Sequence, residues 1–197
     1  IKIRLIIMNF LQFAVWGAYL TSMGSYLVNV GLHEHIGMFY AMQGIVSLFM
    51  PAVLGIIADR WIPAQKLLSF SHFTAALFMA AAGYYGMTKG ADVDFGTLFT
   101  LYSLSVAFYM PTLALSNSVA YTALDKAGLD TIRTFPPIRI FGTIGFICSM
   151  WVVDLLGLQN NYGQFFACAI IGVAYGVYAL TLPECPTSKG DNAKSLV

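Results

Sequence analysis

Residues 95–124, FGTLFTLYSLSVAFYMPTLALSNSVAYTAL, decide the fold class of this chain. The stretch contains no charged side chain, and it is longer than the ~20 apolar residues with which a helix crosses a bilayer. Five further apolar runs accompany it. Four of them lie at residues 3–30, 37–58, 67–87 and 162–182, and the other, the fifth run along the chain, ends near residue 157. The sequence therefore predicts six membrane-spanning helices joined by short connections.

The overall composition agrees with this interpretation. Of 197 residues, 58% are apolar and 10% are charged, against about 25% charged residues in soluble domains. The net charge of +1 provides no basic surface for phosphates, so we expect no nucleic-acid partner. The composition excludes a soluble enzyme and a disordered chain. We predict an all-α integral membrane protein, with a six-helix bundle at residues 1–182 and a polar linker or tail at residues 183–197.

The distribution of Lys and Arg predicts the orientation. Eight of these residues fall on one side of the six spans, and only Lys89 falls on the other side. Arg139 is set aside as intramembrane. The eight are Lys2, Arg4, Arg60, Lys66, Lys126, Arg133, Lys189 and Lys194. Because basic loops stay in the cytoplasm, we expect both ends of this chain to be cytoplasmic, with membrane lipids around the bundle. The chain begins at Ile1 without a Met, so we also expect a few preceding residues.

No motif for a metal or a cofactor is present. His33 and His35 stand two residues apart, and residues at that spacing do not share a helix face. Cys148, Cys168 and Cys185 form no CxxC pair, so we expect three free thiols, no metal and no cofactor.

Polar residues form two stripes inside the apolar runs. Gln12, Trp16 and Tyr19 share one face of the first run, and a hydroxyl-bearing stripe follows the fourth run at Tyr102, Ser105, Tyr109, Thr112 and Ser116, with Asn117 beside it. Such side chains either join helices to one another or line a wet cavity. Both alternatives are open at this stage; the second makes Gln12, Trp16, Tyr109 and Asn117 candidate solute contacts.

The fifth run contains an arginine whose depth decides its role. Arg139, Thr143 and Phe146 follow the spacing i, i+4, i+7 and share one helix face, which we call the Arg139 face. A guanidinium, a hydroxyl and a ring suit a planar solute with hydrogen-bonding groups. If the helix begins at Pro136, Arg139 only anchors it to the headgroups; if it begins near Asp130, Arg139 lies ~13 Å along the axis. We favour the second start.

Carboxylates are scarce within the predicted spans. Asp154, near the outer end of the fifth run, is the only candidate, and no carboxylate falls at mid-membrane. If the protein couples transport to protons, we expect the titrating group outside this chain.

The motifs of the chain resemble a known family. Gly55 to Arg60, GIIADR, is similar to the loop signature of the major facilitator superfamily, with Gly55, Asp59 and Arg60 at its positions. Four other stretches resemble bacterial nucleoside permeases of the nucleoside:proton symporter group: FLQF at residues 10–13, FMPA at 49–52, YMPTL at 109–113, and FPPIR at 135–139 continued to Phe146.

The resemblance implies the N-terminal half of a twelve-helix transporter of the bacterial inner membrane. It implies import of a nucleoside with protons by alternating access, at a site between two half-bundles that Arg139, Thr143 and Phe146 would line. A missing C-terminal half would then complete the protein. One alternative is a major-facilitator transporter of another small polar solute such as a sugar. A second is a pore formed by an oligomer of this chain. A third is an intramembrane enzyme, which the lack of a catalytic motif disfavours.

Overall fold

The computed structural model describes residues 1–187, and every regular element in that range is a helix. Eight α-helices follow one another: α1 Lys2–Gly17, α2 Met23–Asn29, α3 Ile36–Ser47, α4 Met50–Arg60, α5 Ala64–Lys89, α6 Phe95–Lys126, α7 Thr131–Leu155 and α8 Gly163–Ala179. A short 3₁₀ turn, His33–His35, precedes α3. These helices make up six apolar segments, as the sequence predicts.

Four segments are long and apolar enough to cross a membrane. They are His33–Arg60, Ala64–Lys89, Phe95–Lys126 and Thr131–Leu155, and the last helix, Gly163–Ala179, is apolar but shorter. The fold is therefore an all-α membrane bundle.

The first apolar run is not one continuous helix, contrary to the prediction. It divides into α1 and α2, with a turn at residues 18–22 between them. The Tyr40 hydroxyl of α3 donates a hydrogen bond to the carbonyl of Leu20 in this turn. A side chain of a neighbouring helix thus satisfies a backbone group that the break releases from helical pairing.

The second run is also divided, into α3 and α4, and the break lies just before Pro51. α3 ends at Ser47, and Pro51 lies in the first turn of α4. Proline is tolerated there because the first N–H groups of a helix have no intrahelical acceptor. Pro51 therefore begins a new helix. Pro111, by contrast, lies inside the continuous helix α6.

The start of α7 decides how far Arg139 lies inside the helix. Gly128 has a φ of 72°, a conformation that glycine adopts at low cost, and the chain reverses there after α6. The Asp130 carboxylate then accepts a hydrogen bond of 3.1 Å from the N–H of Ile132 and caps α7. The prediction of a start near Asp130 is confirmed, with Pro136 and Pro137 inside the helix.

The core is divided into two apolar clusters along the bundle. One surrounds Tyr19, Phe39 and Phe165 toward the end that holds the His33–His35 turn. The other surrounds Leu68 and Tyr175 toward the opposite end. The main helix pairs are α1 with α7, and α5 with both α6 and α8. Large apolar side chains such as Leu77 and Ile170 remain exposed on the outside, as expected where lipid is the solvent.

The chain after α8 returns to the bundle. Residues 183–187 are not helical, yet Cys185 is buried and its N–H donates a 3.0 Å hydrogen bond to the Gln65 side chain of α5. Lys126 also donates a hydrogen bond to the carbonyl of Glu184. The rest of the predicted tail, residues 188–197 with Lys189 and Lys194, lies outside the described residues.

Candidate functional site

Two glycines allow α1 and α7 to meet backbone to backbone. A Cβ atom on Gly17 would lie 2.5 Å from the carbonyl oxygen of Phe146, and one on Gly145 would overlap the carbonyl oxygen of Phe10. Glycine is the residue that permits such close contact between membrane helices. The Arg139 face of α7 and the aromatic residues of α1 are thereby held side by side.

Arg139 lies well inside α7. It is eight residues beyond Thr131, or about 12 Å along the helix axis. Its guanidinium carbon lies 3.9 Å from the centroid of the Phe13 ring of α1, in the geometry of a cation–π contact. Arg139 forms no ion pair within residues 1–187. Its half-buried charge thus retains N–H groups for a further acceptor.

Thr143 and Phe146 extend this surface along α7. Thr143 is exposed, and Phe146 is half-buried with its ring edge-on to the Trp16 ring, 6.3 Å between centroids. Trp16 also contacts the rings of Phe13 and Tyr109, at 6.2 Å each. We call Phe13, Trp16 and Phe146 the aromatic wall. It places apolar rings beside a cationic donor and a hydroxyl.

Gln43 of α3 orients the aromatic wall, and the sequence analysis did not single it out. Its side-chain oxygen accepts a 3.2 Å hydrogen bond from the Trp16 indole N–H. Its amide nitrogen donates a 2.9 Å bond to the hydroxyl of Tyr102. Gln43 is the only amide side chain in the run 37–58, and that isolation in an apolar stretch was the available signal.

Gln12 is the centre of a buried polar network among α1, α5 and α6. Its amide nitrogen donates a 2.9 Å hydrogen bond to Thr112, and its side-chain oxygen lies 3.1 Å from the Nε2 atom of His72. Its backbone carbonyl accepts a 2.6 Å bond from the Tyr109 hydroxyl. All four side chains are buried. Gln12 and Tyr109 therefore lie behind the aromatic wall, with their polar groups occupied by neighbouring helices.

The hydroxyl stripe of α6 is likewise turned inward. Tyr102, Ser105, Tyr109, Thr112 and Ser116 are all buried. Ser105 donates to the carbonyl of Ala75, and Ser116 donates to that of Leu113 within its own helix. For this stripe the structure favours helix packing over a wet cavity. Asn117, beside it, is half-buried.

The predicted loop motif lies on a helix. Gly55, Asp59 and Arg60 belong to α4, which continues to Arg60 and is closed by a 2.9 Å bond from the N–H of Trp61 to the carbonyl of Ile57. Asp59 is exposed and Arg60 is half-buried at this end of the bundle. The motif is therefore a helix terminus, with the connection to α5 shortened to residues 61–63.

Comparison with known proteins agrees with this architecture. The family model described as nucleoside H+ symporter matches residues 1–197. The chain belongs to the nucleoside H+ symporter family. Xanthosine permease of Escherichia coli (strain K12) is 40% identical over 201 residues, covering 100% of this chain and 46% of the permease. Nucleoside permease NupG of the same organism is 40% identical over 193 residues, covering 96% of this chain and 44% of NupG.

A solved nucleoside transporter shares the fold. The crystal structure of a mutant of the nucleoside transporter NupG superimposes with a TM-score of 0.90 at 38% identity. The match covers 99% of this chain and 47% of that one. The chain thus spans slightly less than half the length of the relatives it matches, and it has the architecture of one half of such a transporter.

Proposed function

We propose that the protein to which this chain belongs imports nucleosides together with protons across the bacterial inner membrane. In this proposal residues 1–182 form one half-bundle, and a second half-bundle faces α1 and α7. Rocking of the two halves exposes a site between them alternately to each side of the membrane. The ends of this chain are cytoplasmic, in agreement with the positive-inside rule. The substrates named for the relatives support a nucleoside rather than a sugar.

One observation carries the proposal: a guanidinium deep in α7 that stacks on a ring and has no ion pair within residues 1–187. A charged side chain at membrane depth is costly unless it faces a partner or a wet cavity. The purine and pyrimidine bases carry carbonyl oxygens and ring nitrogens that accept hydrogen bonds in one plane, and a guanidinium donates in one plane. The aromatic wall supplies rings for contact with the base.

We assign the candidate residues to two roles within this site. Arg139, Thr143, Phe146 and Trp16 contact the nucleoside, and Asn117 contacts it from α6. Gln12 and Tyr109 support Trp16 from behind. The loop motif Gly55, Asp59 and Arg60 acts at the cytoplasmic end of α4. We place proton binding in the second half-bundle, because no carboxylate of the predicted spans falls at mid-membrane and Asp154 lies near the outer end of its span.

Uptake by the full-length protein in proteoliposomes tests the function. An inward proton gradient should drive accumulation of radiolabelled uridine or a purine nucleoside, and a protonophore should abolish it. A sugar such as glucose at the same concentration provides the control solute. Absence of gradient-driven uptake for every nucleoside tested would refute the proposal.

A further inference from the structure

A polar pocket opens beside the break in the first apolar segment. It has a volume of about 280 Å³ and is lined by Gly17, Thr21, Ser25, Trp151, Asp154 and Gln159, among other residues. We call it the outer pocket, because the positive-inside rule places this end of the bundle outside. Its volume is close to the lower end of the ~300–1,000 Å³ that is usual for small-molecule sites.

The outer pocket lies next to the Arg139 face. Gly17 lines the pocket and also packs against the backbone of Phe146. On α7, Asp154 lies 11 residues beyond Thr143, close to three helical turns, so that the two side chains share one face about 16 Å apart along the axis. The outer pocket and the Arg139 face therefore lie on the same side of α7.

The carboxylate of Asp154 is exposed at the end of α7, where donors of a solute can reach it. It lies in the last turn of α7, where the partial negative charge of the helix terminus repels an anion. It makes no ion pair within residues 1–187. Gln159 donates one hydrogen bond to its Oδ1 atom, but an ionised carboxylate has acceptor sites for several donors.

The other groups around the pocket suit one class of solute. Trp151 is 62% exposed and presents an indole ring, while Thr21 and Ser25 are exposed and carry hydroxyl groups. We propose that the outer pocket is an entry subsite for the nucleoside, an inference that rests on the proposed function. Asp154 accepts hydrogen bonds from the 2′- and 3′-hydroxyl groups of the ribose, and Trp151 stacks on the base.

The test uses the full-length protein and removes one acceptor without changing side-chain size. Asp154→Asn should raise the KM for uridine uptake about three- to ten-fold, the effect of losing one or two hydrogen bonds, and leave the maximal rate unchanged. Trp151→Ala should raise the KM by a similar factor. Two matched controls should leave the KM unchanged. Glu34→Gln changes an exposed carboxylate in the His33–His35 turn at the same end of the bundle. Leu155→Ala changes the exposed neighbour of Asp154.

A nucleoside analogue separates contact with the ribose from a general effect on structure. For Asp154→Asn, the inhibition constant of 2′,3′-dideoxyuridine should equal that of the wild type, because the analogue lacks the hydroxyl groups that Asp154 is proposed to bind. An equal loss of affinity for uridine and for the analogue would overturn the proposal. So would a fall in maximal rate at constant KM, the result expected if Asp154 pairs with a cation of the second half-bundle.

The wild type distinguishes the two hypotheses. If it transports nucleosides and the Asp154 and Trp151 variants match it in KM, the entry subsite is wrong and the proposed function stands. If the wild type transports no nucleoside under a proton gradient, both fail.

Discussion

Arg139 is the residue on which the binding proposal depends most. Its guanidinium lies over Phe13 and retains donors for a ligand. Arg139→Ala should weaken nucleoside binding by about 1.5–3 kcal/mol, since a hydrogen bond to a charged group is lost. That is roughly a 10- to 150-fold increase in Kd, to be measured by calorimetry on the purified full-length protein.

A second arginine of the same helix serves as its control. Arg133 has an 89% exposed side chain and lies 3.7 Å from Asp130. Exposed ion pairs contribute about 0–1 kcal/mol to stability, and we place no solute at this position. Arg133→Ala should leave the nucleoside Kd unchanged. Equal affinities for Arg139→Ala and the wild type would remove Arg139 from the site.

Gln12 should affect stability more than binding chemistry. Gln12→Leu removes the side-chain partner of His72 and the amide that donates to Thr112, both in a buried network. Each polar group left unsatisfied costs about 1–3 kcal/mol, so the variant should unfold at a lower temperature. Thermal unfolding of the detergent-solubilised protein measures this, with Ser118→Ala at an exposed position of α6 as the control. An unchanged Tm would show that the network contributes little.

At the scale of elements, the contact between α1 and α7 should tolerate no added side-chain atom. Gly145→Ala would bring a Cβ atom into the carbonyl of Phe10. The helices must then separate, which displaces Phe13 and Trp16 of α1 from Arg139. We expect a lower Tm and reduced uptake together.

Gly44 of α3 provides the matched control for this prediction. A Cβ atom there meets nothing within 4 Å. Because Ala is favoured over Gly by up to about 1 kcal/mol inside a helix, Gly44→Ala should preserve or raise the Tm. Wild-type stability and uptake in Gly145→Ala would contradict the proposed close contact.

At the scale of the whole molecule, the ends of the bundle should differ in access. We predict that the His33–His35 turn faces outward and that the turn after α6 faces the cytoplasm. In a full-length protein freed of other cysteines, a cysteine at His33 should react with a membrane-impermeant maleimide added to intact cells. A cysteine at Ala127 should react only after permeabilisation, and the reverse pattern would overturn the orientation.

Local patterns predicted much of the fold and part of the site. The run 95–124 agrees within a few residues with α6, and Asp130 caps α7 as its side chain and position suggested. Helical periodicity placed Arg139, Thr143 and Phe146 on one face. These predictions depend on residues within a few turns of one another, which a sequence displays directly.

Other features depend on residues far apart in the chain. The hydroxyl stripe of α6 has the spacing of a cavity lining, but Ser105 donates a hydrogen bond to the carbonyl of Ala75, and Thr112 accepts one from the Gln12 amide. The break between α1 and α2 is stabilised by Tyr40 of a different helix. Periodicity identifies which side chains share a face, but it does not reveal what that face contacts.

The sequence by itself determined a six-segment membrane bundle, its family, and an arginine inside a span, because bilayer thickness, helical geometry and side-chain chemistry act locally. The tertiary structure alone decided that Gln12 and Tyr109 turn inward, that Gln43 holds Trp16, and that Phe13 covers Arg139. Those outcomes follow from which helices pack together. In a bundle where nearly every face is apolar, the pairing of helices depends on close contacts such as that of Gly17 with Phe146. The composition of a single helix does not reveal this pairing.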